Sequence, residues 1–111
     1  MKIVFAVTSK RGKRIRLTEV QWTHILQRRP VITGQIEKMR LSVEEPDLIQ
    51  YVPEDNVYYY YKRFPDTPVS KKDLLLVVKH LNEEGFVITA FFVRRKRKKG
   101  KATVYEKAHL H

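Results

Sequence analysis

Apolar residues recur along this chain with two periods, and the change of period organises it. Lys2 to Ser9 is apolar and β-branched and predicts a strand. Arg11-Gly12-Lys13 supplies a tight turn, with Gly12 free to take a positive φ, and Arg14 to Leu17 returns as the second strand of a hairpin. The period then lengthens. Thr18 opens a helix, and Thr18-x-x-Gln21 has the spacing of a capping box, in which side chains satisfy the first free backbone donors. Trp22, Ile25, Leu26 and Arg29 keep helical spacing until Pro30, which cannot continue a helix. A second helix is expected from about Gly34 to Glu44, capped by Thr33 and ended by Pro46. Its apolar stripe is Ile32, Ile36, Met39 and Val43.

From Leu48 onward the two-residue period returns. Leu48 to Val52 and Val57 to Phe64 flank a turn at Pro53-Glu54-Asp55-Asn56. Asp73 to Leu81 and Phe86 to Arg95 flank another at Asn82 to Gly85, and a proline-bearing loop, Phe64 to Ser70, separates the two pairs. Past Lys98 the signal is weak, with Val104-Tyr105 the one short stretch suited to pairing at an edge. The order β-β-α-α-β-β-β-β indicates an α+β fold. Short turns make neighbouring strands antiparallel. Two amphipathic helices then cover one face of the sheet and leave the other open. In Phe86 to Arg95 the even positions Phe86, Ile88, Ala90 and Phe92 form the purer apolar set and should meet the helices, which turns Thr89 and Phe91 to the open face.

With 111 residues the chain has room for one domain, 1–111. Charge changes the picture more than length does. Twenty-three Lys and Arg against twelve Asp and Glu give +11. Residues 10–16, KRGKRIR, hold five of the basic side chains and residues 94–101, RRKRKKGK, hold seven. The rest of the chain nets −1. Two basic runs on a near-neutral body suit a polyanion, RNA before DNA. The phosphate-contact set is Lys10, Arg11, Lys13 and Arg14 in the first run, and Arg94, Arg95, Lys96, Arg97, Lys98 and Lys99 in the loop or tail 94–101. Tyr61, from the row Tyr58 to Tyr61, offers a ring on which a base can stack.

Composition also excludes. The chain has no cysteine, so it has no disulfide framework, thiolate zinc site or cysteine nucleophile, which fits a cytoplasmic setting. Apolar runs fall far short of the ~20 residues that span a bilayer, and the opening MKIVFAV is too short for a signal peptide, so no membrane partner is expected. Four scattered glycines build no phosphate-cradling loop. His24, His80, His109 and His111 show no metal-ligand spacing, so neither a metal nor a cofactor is expected.

Leu17-Thr18-x-x-x-Trp22-x-His24-Ile25-x-x-x-Arg29-Pro30, then Pro46-Asp47-x-Ile49, a Tyr-rich strand, and Phe86-Val87-Ile88-Thr89-Ala90-Phe91 resemble the phage-type barnase–EndoU–colicin–RelE-like nucleases over residues 14–95. The resemblance implies an N-terminal β-hairpin and two helices packed on one face of an antiparallel sheet of about four strands. It also implies metal-independent RNA cleavage by 2′-hydroxyl attack on the phosphate, in a toxin-like or phage-associated protein with an inhibitor protein as a further partner. His24 and Thr89 match the family's helix His and strand Thr. A histidine with a pKa of about 6.5 suits the acid–base role. Arg29 stands where the family often has a His before Pro, and Phe91 where it has a Tyr. Arg29 and Arg63 are candidates for the phosphate-holding cation, since a guanidinium is always charged. The alternative is a non-catalytic nucleic-acid-binding module on the same fold.

Overall fold

The computed structural model describes residues 2–95 and 101–107. Strand β1 (Ile3–Thr8) and strand β2 (Arg14–Thr18) form the N-terminal hairpin. Helix α1 (Glu19–Arg28) follows directly, and the Thr18 side chain accepts a hydrogen bond from the Gln21 amide at 3.2 Å. Only half of the expected capping box forms, because the Gln21 side chain donates instead to the Ile88 carbonyl. Pro30–Ile32 make one 3-10 turn, Gly34 takes a φ of +79°, and helix α2 spans Ile36–Glu44. The cap of α2 is Gln35 rather than the expected Thr33, whose hydroxyl donates back to the Pro30 carbonyl. Strands β3 (Leu48–Val52), β4 (Val57–Arg63), β5 (Asp73–Leu81) and β6 (Glu84–Val93) form an antiparallel meander, and β7 (Ala102–Glu106) is the last of the described strands.

Among the described residues seven strands form, and all lie in one sheet, in the order β1-β2-β6-β5-β4-β3-β7. This overturns the expected RelE/barnase-like antiparallel sheet of about four strands: the fold is α+β, with a seven-stranded mixed sheet and two helices. The meander is the part that local turns announce. The hairpin joins it through a parallel pairing, Arg14↔Glu84, Ile15↔Gly85 and Arg16↔Phe86, and β7 adds to β3 on the far edge. Gly85 permits the parallel pairing. A Cβ there would lie 2.6 Å from Ile15 Cδ1 and 2.8 Å from the Lys79 carbonyl.

The main core lies between the helices and one face of the sheet. Ile25, Ile32, Met39 and Val43 meet Ile15, Leu17, Ile49, Tyr60, Leu74, Leu76, Val78, Val87 and Ala90, all essentially free of solvent. Burial of each aliphatic side chain of this kind stabilises the fold by about 1.5–3 kcal/mol. The alternation expected for β6 holds only for its second half. The pairing with β5 shifts between Val77 and Val78, leaving Ile88 as an extra residue. Val87 rather than Phe86 therefore turns to the helices.

Candidate nucleic-acid interface

The face without helices presents the alternate residues of the meander. Register places Tyr59 beside Val77 and Thr89, and Tyr61 beside Leu75 and Phe91. Leu48, Tyr61 and Leu75 are buried there, while Tyr59, Phe91 and Val93 stay half-buried against them. Tyr59, Tyr61, Leu75, Phe91 and Val93 floor a shallow basin of about 390 Å³, with Lys71, Arg94 and Lys101 on its rim. Cations stand over the rings. Lys101 Nζ lies 4.4 Å from the centroid of Tyr59, and the Arg29 guanidinium 4.5 Å from that of Phe91. A face built of rings and cations attracts planar, anionic ligands.

Tyr61 sits lower in this basin than its sequence position suggests. It is 3% exposed, its ring meets Tyr59 edge-on at 6.3 Å, and burial pushes its phenol up to about 12. It braces the floor, and Tyr59 and Phe91 hold the accessible ring area. Sequence reasoning missed Tyr59, Lys71 and Lys101. The first two-residue step from Tyr61 would have found Tyr59, since strand parity puts both on one face.

Arg95 is engaged within the protein. Its Nη2 donates to Asp73 Oδ1 at 2.6 Å and to Asp47 Oδ2 at 3.2 Å, with Tyr61's ring 5.8 Å away. Asp47 Oδ2 also accepts the Arg63 backbone amide at 2.8 Å, and the Arg63 guanidinium lies 3.9 Å from Asp73. Arg63 keeps a mostly exposed side chain (69%), so it reaches solvent from the lower end of β4. Lys96, Arg97, Lys98 and Lys99 lie outside the described residues, as do His109 and His111.

Among the nuclease candidates, Arg29 and Thr89 come to the same face, Arg29 over Phe91 and Thr89 two residues before it on β6. His24 is exposed on α1, and among the described residues no hydrogen bond, ion pair or ring contact joins it to Thr89, Arg29 or Arg63. Lys10, Arg11, Lys13 and Arg14 belong to the β1–β2 turn and the start of β2. Arg11 sits 5.5 Å from Tyr58, a ring on the helix-bearing side. Arg14 is exposed, its amide directed at the Glu83 carbonyl. Among the described residues no three His, Asp or Glu side chains gather into a metal-binding group, and no helix is long and apolar enough to cross a membrane. No protein-family model, no curated protein and no solved structure matches the chain.

Proposed function

We propose that the helix-free face binds single-stranded nucleic acid, RNA in preference to DNA, by stacking bases on Tyr59 and Phe91 and contacting phosphates through Lys71, Arg94 and neighbouring cations. The observation that supports this most directly is the placement of cations over accessible rings, in a protein of net charge +11. A stacked base contributes about 1–3 kcal/mol and any base can stack, so recognition tolerates sequence. Unpaired RNA loops and ends expose such bases.

The test is a salt series of affinities for a single-stranded oligonucleotide. Tyr59→Ala with Phe91→Ala should weaken binding at every salt concentration and leave the salt slope unchanged. Lys71→Ala with Arg94→Ala should flatten that slope by roughly 0.7 for each phosphate no longer neutralised. Affinity unmoved by the aromatic pair would refute the stacking face. The same protein, incubated with labelled RNA in EDTA, should return the RNA intact. Breakdown that His24→Ala abolishes would replace the binding module by a metal-independent endoribonuclease.

A further inference from the structure

The first basic run is held in place by the fold. Ser9 is 4% exposed, and its Oγ accepts the amides of Arg11 and Lys13 at 3.3 and 3.2 Å. The Ser9 amide donates to the Lys13 carbonyl at 2.7 Å, and Gly12 completes the turn at a φ of +78°. A buried hydroxyl thus ties the backbone of the loop from inside. Each cation is then directed. The Arg11 guanidinium lies over Tyr58, and Lys13 Nζ donates one of its protons to the Asn82 carbonyl at 2.6 Å. Neither has a carboxylate partner among the described residues; Arg16 takes Glu84.

Both cations lie within electrostatic reach of His80, Arg11 over the Tyr58 ring on which His80 stacks and Lys13 held at Asn82, two residues along the chain from it. Its ring stacks on Tyr58 with centroids 4.0 Å apart and planes 18° from parallel, and its Nε2 lies 3.1 Å from the Tyr60 hydroxyl. Nδ1 has no partner among the described residues and is not shut off from solvent. The groups around this ring are Arg11 and Lys13 from the turn and Tyr58 and Tyr60 from β4. Gly85, opposite it on β6, carries no charge. Burial, then Lys13 and Arg11, push the His80 pKa down to about 4, so near neutral pH the imidazole stays uncharged beside two uncompensated cations.

We propose that Arg11, Lys13 and His80 form a second anion site, on the helix-bearing side of the sheet, that takes a phosphate group. A dianion between the two cations would pair both, accept the remaining lysine protons and favour a proton on His80 Nδ1. The site stands independently of the helix-free face, because no residue is shared between them.

The test follows the His80 ring proton by NMR, in the full chain at pH 6.5 and constant ionic strength. Inorganic phosphate should move that resonance saturably and raise its titration midpoint from about 4 toward 6.5. In the Arg11→Ala, Lys13→Ala double variant the apparent affinity should fall by about tenfold or more. The turn should survive in that variant, since its hydrogen bonds are made by the backbone and Ser9, and an unchanged melting curve checks this. A 5′-phosphorylated dinucleotide and its 5′-hydroxyl counterpart separate the sources. Tighter binding of the former than of inorganic phosphate supports the site and assigns it a strand end; equal binding supports it as a site for free phosphate. No saturable shift with either phosphate at tens of millimolar, or an unchanged affinity in the double variant, overturns the proposal.

Discussion

Protonating His80 should destabilise the fold, and the size of the effect follows from its surroundings. The folded ring has its pKa pushed from 6.5 down to about 4, chiefly by burial and further by Lys13 and Arg11. The folded ring therefore binds a proton less readily than the unfolded one. The stability this contributes is fully present above pH 6.5 and is lost as pH falls toward 4. At 1.36 kcal/mol per unit the displacement is worth roughly 3 kcal/mol. The ring is only half-buried, so solvent screening reduces this to about 1–2 kcal/mol. For a chain of 111 residues an unfolding entropy of roughly 0.23 kcal/mol/K turns that loss into a fall in Tm of about 4–9 °C. The assay is a set of thermal melts between pH 7.5 and 4.5 for the protein and for His80→Gln. Gln also loses the stacking on Tyr58, so its absolute Tm is not the readout. The readout is the pH slope, which should be shallower in the variant by that amount. Parallel slopes across the range would refute the reasoning and place His80 in an environment that does not penalise its charge.

Gly85→Ala should destabilise by about 1–3 kcal/mol, since its methyl group meets a backbone carbonyl that cannot swing aside; a Tm within 2 °C (roughly 0.5 kcal/mol) of the parent would show that β2 and β5 can part to admit it. Arg95→Met should cost about 2 kcal/mol in a denaturant titration, because it removes the closest cation from Asp73, which is 3% exposed; an unchanged midpoint would mean that Arg63 suffices. Tyr61→Leu should keep oligonucleotide affinity within about twofold, because its buried ring offers little stacking area; a decrease as large as that of the Tyr59 and Phe91 pair would return Tyr61 to the binding surface.

Features written in local sequence were legible. Gly12 marks the first turn, Thr18 and Pro30 bound α1, and Pro53 to Asn56 mark a hairpin whose first strand matches the pattern and whose second stops at Arg63, one residue short of the expected Phe64. What was not legible depends on partners distant in the chain. The β2–β6 pairing has no turn to announce it and rests on three residue pairs, one of them a glycine indistinguishable in sequence from an ordinary turn residue. The bulge at Ile88 reverses the parity of β6 without any Gly or Pro to signal it. Within the Tyr58 to Tyr61 row, parity separates two pairs but does not say which faces the helices; Tyr58 and Tyr60 do. Arg95 reads as one more charge in a basic run, and only the approach of Asp47 and Asp73 from elsewhere in the chain changes its role. His80 resembles any histidine in an apolar strand until the turn at Ser9 brings two cations to it.

The parallel β2–β6 pairing also bears on the order of folding. It joins Ile15 to Gly85, about 70 residues apart, whereas the hairpins of the meander close through loops of nine residues or fewer. Loop closure over that distance exacts an entropic cost before any interaction rewards it, so the meander should nucleate and the N-terminal hairpin dock late. Substitutions at that seam should then act mainly on the unfolding rate and leave the folding arm of a chevron plot almost unmoved. The β1–β2 turn and its two cations travel with that late-docking hairpin. The surroundings of His80 are therefore completed only in the final step of folding, and a phosphate bound there would hold the molecule shut by slowing its unfolding.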